Sequence, residues 1–416
     1  MNQINSIMKI INNIFIFFSL ALACNAQSFS VDNIYYTMLE NGTCQVVKGE
    51  NTYTGEVVVP ATVKYQDKNI RVSSIDGEAF KGSEITIIEI PESVEEIGKY
   101  AFSDCLHLSE AYLPYTLGKI DECLFSGDIS LSIVEMPDFA TSIEREAFRG
   151  CSSLKSIAIP AMIKVIEINA FASCTALESI SFGNSLENIG YYSFDGCTSL
   201  KTIEIPQSVT GIAGGAFNRC SSLKKVVVPE SVKTMGTDVF AYCTALEEAY
   251  LPSTLPYIAA RLFKGCTALS KITIGNAVEN IDGDVFSGCT NLTTFNCMTA
   301  TPPACGKAFD ATMLENCTLY IPTGSLEAYK VADYWKDFKK IEEKDFASVE
   351  SAEHDNVTVT ASGNTITVKG AGTEAEVEIY TAAGKLVTKT TSKTIEMPGS
   401  GVYLVKVDNR CIKIAI

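Results

Sequence analysis

The most reactive side chains in this sequence are its 15 cysteines. Eight of them keep one place in a pattern that repeats every 23 residues: Cys105, Cys151, Cys174, Cys197, Cys220, Cys243, Cys266 and Cys289. Cysteines in an exported protein can form disulfides, and cysteine clusters can bind zinc. However, side chains stacked in register point in parallel, which disfavours the disulfide torsion, and zinc sites use closer spacings. We therefore predict that these eight cysteines are buried, reduced thiols that bind no metal. The sequence leaves undecided whether Cys305 and Cys317 form a disulfide.

Acid–base and nucleophilic chemistry find little support in the sequence. It has two histidines, His107 and His354, and no G-x-S-x-G, Walker loop, G-x-G-x-x-G or H-E-x-x-H segment. Carboxylates are abundant, but a glycosidase needs two of them in one cleft, which a repeat array does not single out. We predict that the chain is not an enzyme and holds no cofactor. Because 49 acidic and 33 basic residues give a net charge of -16, nucleic acid is excluded as a partner.

A 23-residue repeat supplies the elements that position these side chains. Each unit continues with Leu-x-x-Ile-x-Ile and then Pro or Gly, which predicts a short strand with one buried face. The residues around each phenylalanine predict a helical turn that packs the ring inward. Stacked units can bury an apolar face that one unit cannot, so we predict a solenoid with a parallel β-sheet on one face. About ten units are marked by Phe80, Phe102, Phe125, Phe148, Phe171, Phe194, Phe217, Phe240, Phe263 and Phe286.

The consensus I-G-x-x-A-F-x-x-C-x-x-L-x-x-I-x-I-P-x-x-V resembles the BspA-like class of bacterial leucine-rich repeats. The resemblance covers residues 68–297, with departures at Ser83 and Asp128 near cysteine positions and at Leu124, Ser193 and Leu262 before phenylalanine. Membership of that class implies a leucine-rich-repeat solenoid on a cell-surface or secreted protein. It also implies adhesion to host or microbial proteins as the expected role.

The segments around the repeats predict four further regions. Residues 27–67 lack the repeat register and are interpreted as an N-terminal cap, and residues 298–346 as a C-terminal cap with a short amphipathic helix around Trp335. Residues 347–416 comprise a linker and a small all-β sandwich, with turns at Ser362-Gly363-Asn364 and Ala383-Gly384. Three stretches of this sandwich resemble the sorting domain of the bacterial type IX secretion pathway: Glu378 to Val387, Gly401 to Val407, and Lys413 to Ile416.

The N-terminus, residues 1–26, is interpreted as a signal peptide. Lys9 precedes ten apolar residues from Ile14 to Ala23, and small residues follow as a cleavage site needs. Cleavage after Ala26 predicts a freely secreted or tail-attached chain. Cleavage before Cys24 would make that residue a lipidation site on an outer-membrane lipoprotein. No later segment reaches 18 apolar residues, so no transmembrane segment is predicted in the mature chain.

The outward positions of the predicted strands form the candidate partner-binding surface. They have no packing role and vary between repeats, and solenoids commonly bind partners through such faces. A host or microbial protein is the expected partner. The alternative is glycan binding, or a structural role as a cell-envelope lipoprotein. The candidate residues are Glu110, Tyr112, Glu135, Lys155, Lys201, Glu204, Lys224, Lys225, Glu247, Glu248 and Tyr250.

Overall fold

The computed structural model describes residues 27–346, 358–362, 365–369, 376–381, 386–398, 402–407 and 410–415. The predicted signal peptide with Cys24, the predicted linker at 347–355, and the predicted turn residues Gly363-Asn364 and Ala383-Gly384 lie outside the described residues. Contacts divide the chain into two units, Met1–Lys344 and Asp345–Ile416.

The first unit starts with irregular strands and continues as a repetitive solenoid. The opening strands are β1 (Ser28–Val31), β2 (Ile34–Met38), β3 (Cys44–Val46), β4 (Thr54–Val58), β5 (Thr62–Tyr65) and β6 (Lys68–Ile75). The repeats contribute β7 (Glu84–Glu89), β8 (Glu96–Ile97), β9 (Glu110–Tyr112), β10 (Ile133–Glu135), β11 (Ser142–Ile143), β12 (Ser156–Ala158), β13 (Val165–Ile166), β14 (Ser179–Ser181), β15 (Asn188–Ile189), β16 (Gly211–Ile212), β17 (Lys225–Val227), β18 (Thr234–Met235), β19 (Glu248–Tyr250), β20 (Tyr257–Ile258), β21 (Lys271–Ile274), β22 (Asn280–Ile281), β23 (Thr294–Cys297) and β24 (Ala304–Cys305).

These strands form two parallel ladders, where the sequence predicted one. The first ladder contains the predicted strands and is made of three sheets, β4-β7-β9-β10, β12-β14, and one that begins β17-β19-β21-β23. The second ladder consists mainly of two-residue strands and joins β11-β13-β15-β16-β18 and β20-β22-β24. The predicted leucine-rich-repeat solenoid, with about 12 turns in all, is confirmed.

One predicted strand is absent from the first ladder. Ile203 and Ile205 are buried as expected, but residues 202–204 form no strand. The backbone bonds between repeats are long here, with Lys201 N donating to the Glu178 carbonyl at 3.3 Å and Lys224 N to the Lys201 carbonyl at 3.4 Å. The equivalent bond from Glu178 N to the Lys155 carbonyl measures 2.8 Å. The ladder is therefore stretched at this repeat.

The core is a column of stacked aromatic rings flanked by cysteines. From Phe80 to Phe309, ring centroids of successive repeats lie 5.1 to 6.1 Å apart and the planes are nearly parallel. All these rings are buried. The predicted inward orientation of the phenylalanines is confirmed.

The predicted helical turn around each phenylalanine is wrong. The segment is a series of tight turns, and the residues two before and two after the ring commonly have positive φ, as at Glu146 (56°) and Gly150 (78°). Its backbone bonds alternate: Phe148 N donates to the Ala170 carbonyl of the next repeat at 2.8 Å, whereas Arg149 N donates to the Glu146 carbonyl of its own turn at 3.1 Å. Left-handed residues interrupt a right-handed helix, so every second donor pairs with the next repeat instead.

The last repeat is covered by two α-helices, one 3-10 helix and two more strands of the first ladder. These are α1 (Ala311–Asn316), β25 (Thr318–Pro322), α2 (Leu326–Val331), a 3-10 helix (Trp335–Asp337) and β26 (Lys340–Lys344). Trp335 is buried, its Nε1 donates to the Pro303 carbonyl at 2.9 Å, and its ring lies 5.2 Å from that of Phe309. The single amphipathic helix expected here is thus two short helical segments, and α1 was not predicted.

The second unit is all-β, as predicted. Its strands are β27 (Thr358–Ser362), β28 (Thr365–Lys369), β29 (Val377–Thr381), β30 (Leu386–Thr390), β31 (Thr394–Glu396), β32 (Val402–Val407) and β33 (Arg410–Ala415). They pair antiparallel in two sheets, β27-β28-β31 and β30-β29-β32-β33. Ile366 and Ile395 from one sheet share an apolar core with Ile379 and Val405 from the other.

Candidate binding surface

The parallel register of the first ladder arranges its outward side chains in columns. Residues one apart on a strand point to opposite faces, and each strand pairs with the same position of the next repeat. Glu110 therefore pairs with Ile133, and Tyr112 with Glu135. We call the outward side of this ladder, including the residue just before each strand, the strand face.

Every candidate residue lies on the strand face with its side chain toward solvent, but the candidate residues do not form one cluster. Glu110, Tyr112, Glu248 and Tyr250 are half-buried along their strands. The remaining candidates are exposed: Glu135, Lys155, Lys201, Glu204, Lys224, Lys225 and Glu247. They extend along the ladder from β9 to β19, so a partner that contacts all of them must be extended.

The central part of the strand face has its charges largely compensated. Lys201 Nζ lies 2.6 Å from Glu178 Oε2, and this contact lowers the pKa of Glu178. Lys225 Nζ lies 3.8 Å from Glu248 Oε2 and 5.1 Å from the centre of the Tyr250 ring. The Tyr250 hydroxyl completes this group by donating to Glu248 Oε2 at 3.1 Å.

The N-terminal part of the strand face has an acidic cleft of about 500 Å³ at the ends of β4, β7, β9 and β10. Glu89, Glu135 and Asp138 line it, and none forms an ion pair within the described residues. The Tyr112 hydroxyl donates to Glu110 Oε2 at 2.6 Å. This bond, with burial and the charges of Glu110, Glu89 and Glu135, raises the pKa of Tyr112. The potential in the cleft is therefore negative.

Exposed apolar side chains lie beside this cleft. Val58 and Tyr115 line it with 53% and 52% of their surface exposed, and Phe139 is 52% exposed. The Tyr115 and Phe139 rings lie 6.2 Å apart. Tyr115 and Phe139 follow the prolines that end the strands. They were not predicted as candidates, because the prediction used only the positions between the buried strand residues. The signal was an aromatic residue in a turn where other repeats have small or polar residues, as at Gln207 or Ser253.

The cysteine ladder offers no reactive thiol among the described residues. All its cysteines are buried and free; Cys317 is also buried and free, and Cys305 is free and partly exposed. Each ladder thiol donates to a phenylalanine carbonyl of the preceding repeat at 3.1 to 3.3 Å. Burial raises the pKa of Cys174 and of Cys243 to about 12. Because the thiolate is the nucleophile and the metal ligand, these groups are structural.

We expect thiol titration to find the eight ladder cysteines reduced. The protein would be alkylated in denaturant before any exposure to oxidant, and the labelled peptides counted by mass spectrometry. Native protein should label slowly at the same positions, because the thiols are buried and protonated. Ladder positions recovered mainly as disulfides would contradict this interpretation.

Across the described residues, no group of three or more His, Cys, Asp and Glu side chains is arranged to hold a metal ion. No helix in that part of the chain combines the length and apolar character needed to cross a membrane.

Comparison with known proteins gives a family match over the repeats. The family described as "BspA type Leucine rich repeat region" matches in six copies over residues 73–200 and 164–293, which together span just over half of the chain. A search of curated proteins gives no significant match.

Several solved structures are similar to this chain. A leucine-rich repeat protein from Bacteroides ovatus is 26% identical, with 76% of this chain and 100% of that one covered and a TM-score of 0.45. The pneumococcal vaccine antigen PcpA is 18% identical, with 77% and 99% covered and a TM-score of 0.47. A leucine-rich cell surface protein from Faecalibacterium prausnitzii is 21% identical, with 78% and 98% covered and a TM-score of 0.37.

Proposed function

Since the chain belongs to the BspA-type leucine-rich repeat family, we propose that it is an exported surface protein that binds another protein through its strand face. The observation that carries this proposal is the arrangement of outward side chains along the first ladder. They have no packing role, yet the parallel register holds them in fixed columns across many repeats. Such a surface recognises an extended or broad partner through many weak contacts.

The chemical character of the strand face supports a protein partner. Tyrosines such as Tyr112 and Tyr250 stand beside carboxylates, and tyrosine is enriched in protein interfaces. The absence of a reactive thiol or metal-ligand cluster in the described residues favours binding over catalysis. Adhesion to a host or microbial protein is the role that this family and this surface support together.

We expect a five-residue variant of the strand face to lose partner binding while it keeps its fold. Glu110, Tyr112, Glu247, Glu248 and Tyr250 would be changed to serine or alanine in the full mature chain. None belongs to the phenylalanine or cysteine columns, so each substitution should alter stability by less than about 0.5 kcal/mol. Protein captured from host-cell or bacterial surface extracts would be identified by mass spectrometry, and its affinity measured. We expect affinity to fall at least tenfold with an unchanged circular dichroism spectrum.

A matched variant of the second ladder and its turns controls for the loss of charge and aromatic surface. It removes the same residue types, three glutamates and two tyrosines, at exposed positions: Glu96, Glu187, Glu279, Tyr191 and Tyr242. This control should bind as the native chain does. If the control loses affinity and the strand-face variant keeps it, the binding surface lies elsewhere and the proposal fails.

Export is the second part of the proposal, with residues 347–416 acting as a type IX sorting-like domain. The antiparallel sheets of the second unit and the sequence resemblance at Glu378 to Val387 support it. We expect the mature chain to begin at Gln27 by mass spectrometry. It should reach the surface of a bacterium with the type IX pathway and not that of a matched strain without it. An acylated Cys24 would indicate a lipoprotein instead, and an intact Met1 would contradict export.

A further inference from the structure

Two strands of the first ladder have the same sequence, Glu-Ala-Tyr, but different neighbours. In β19, Glu248 pairs with Lys225 of the preceding strand and with Lys271 of the next one. In β9, Glu110 pairs with Ile87 and Ile133 at the same two positions. The two strands thus form an internal comparison in which only one carboxylate–tyrosine pair has lysines beside it.

The lysine beside β19 engages both members of that pair. Lys225 Nζ approaches Glu248 Oε2 at 3.8 Å and lies 5.1 Å from the Tyr250 ring centre, within the range of a cation–π contact. In β9 the tyrosine keeps its own bond, from the Tyr112 hydroxyl to Glu110 Oε2 at 2.6 Å. Among the described residues, however, no cation pairs with Glu110. The β9 pair therefore lacks the positive charge that completes its counterpart.

The surroundings of β9 add more negative charge and apolar surface. Glu89 and Glu135 pair with Tyr112 on either side, and Asp138 lies in the same cleft. The fourth carboxylate of the cleft, Glu92, is already used, because it accepts the Tyr115 backbone N–H at 3.1 Å. Of the residues that the structure describes, no lysine or arginine lines the cleft.

We propose that this acidic cleft binds an arginine- or lysine-rich extended segment of a partner protein. A cation of that segment contacts Glu110 and Tyr112 in the way that Lys225 contacts Glu248 and Tyr250 at β19. Arginine suits the cleft because its guanidinium can bond a carboxylate through two N–H groups and stack on an aromatic ring. Its aliphatic stem can lie on the exposed Ile133, and neighbouring apolar side chains on Tyr115 and Phe139. This inference rests on the proposed function and specifies the chemistry of the partner.

The test uses the full mature chain and two fluorescent nine-residue peptides. One peptide has arginine at every second position and the other has glutamate there. We expect the arginine peptide to bind and to weaken as salt increases, and the glutamate peptide not to bind. Failure of the arginine peptide to bind, or binding of a neutral hexasaccharide in its place, would overturn the inference.

Substitutions in the strands beside β9 and beside β19 test whether the peptide binds at β9. Ile87→Lys with Ile133→Lys gives β9 the lysine neighbours of β19, so the affinity for the arginine peptide should fall at least tenfold. Lys225→Ile with Lys271→Ile changes only β19, where Val227 and Thr273 flank Tyr250 in place of glutamates, so the peptide should still bind at one site with its affinity within about twofold. Asn188→Lys with Asn280→Lys adds the same charge at exposed positions of the second ladder and should leave affinity within about twofold.

The outcomes separate this inference from the proposed function. If captured partners still depend on the strand face but the arginine peptide is unaffected by Ile87→Lys with Ile133→Lys, only the cleft assignment fails. If the strand-face variant keeps its partners, the proposed function fails. Circular dichroism and thermal unfolding of each variant identify any loss of binding that comes from unfolding.

Discussion

Replacing Phe194 by alanine is expected to lower the free energy of unfolding by about 3 to 5 kcal/mol, as other buried aromatic deletions do. The ring is fully buried, and its centroid lies 5.3 Å from those of both Phe171 and Phe217. Phe182 adds an edge contact at 6.0 Å. The cavity would therefore interrupt the aromatic column in mid-array, where each repeat depends on its two neighbours.

Denaturant unfolding followed by circular dichroism measures this effect. Tyr191→Ala is a suitable control, because that tyrosine belongs to the same turn region but is 56% exposed, and its loss should cost less than about 0.5 kcal/mol. Similar stabilities for the two variants would mean that Phe194 is not packed as described.

Asp128 should destabilise the protein at neutral pH, so Asp128→Asn is expected to stabilise it by about 1 to 3 kcal/mol at pH 7. The aspartate occupies a cysteine position of the ladder and is fully buried. Its Oδ1 accepts the Cys105 N–H at 2.8 Å, but among the described residues Oδ2 has no partner. Burial raises the pKa of Asp128 well above its ordinary value, and the nearby charge of Asp104 adds to this increase.

The pH dependence of this effect follows from the direction of the shift. A raised pKa in the folded state means that Asp128 stabilises the folded chain more when it is protonated than when it is ionised. Its contribution to the free energy of unfolding is therefore complete below the unfolded pKa, near 4. That contribution is lost as the pH rises from there through the folded pKa. The advantage of asparagine should therefore be largest at neutral pH and disappear near pH 3.5.

Denaturant unfolding of both proteins between pH 3.5 and 7.5 checks this behaviour. Asp138→Asn changes an exposed carboxylate later in the same repeat unit and should show no comparable gain. A stability difference between native protein and Asp128→Asn that does not vary with pH would contradict the ionisation argument.

The features that could be predicted from the sequence are those that depend on one residue type recurring at a constant spacing. The Phe194 and Cys197 positions recur every 23 residues, and any stacking of equal units brings them into columns. The sequence did not predict how the chain turns between these positions. Residues such as Glu146 and Tyr192 adopt positive φ while their N–H groups bond to the next repeat, and neither residue type favours that conformation.

The candidate surface was predictable in outline and not in its detail. Alternation along Glu110-Ala111-Tyr112 indicates which side chains face outward. The difference between β9 and β19 depends on which residues of other repeats flank each strand, namely Ile87 and Lys225. The cleft also uses Tyr115 and Asp138, which lie beyond the strand and approach it only through the turn.

Carboxylate footprinting of the full mature chain, with and without a captured partner protein, determines whether the strand face is the binding surface. Glutamate labelling read by mass spectrometry reports which side chains a partner covers. We expect protection of Glu89, Glu110, Glu135, Glu247 and Glu248 on the strand face, with Glu96, Glu187 and Glu279 on the second ladder labelled as before. Protection of the second-ladder glutamates, with the strand face labelled as in the free chain, would contradict it.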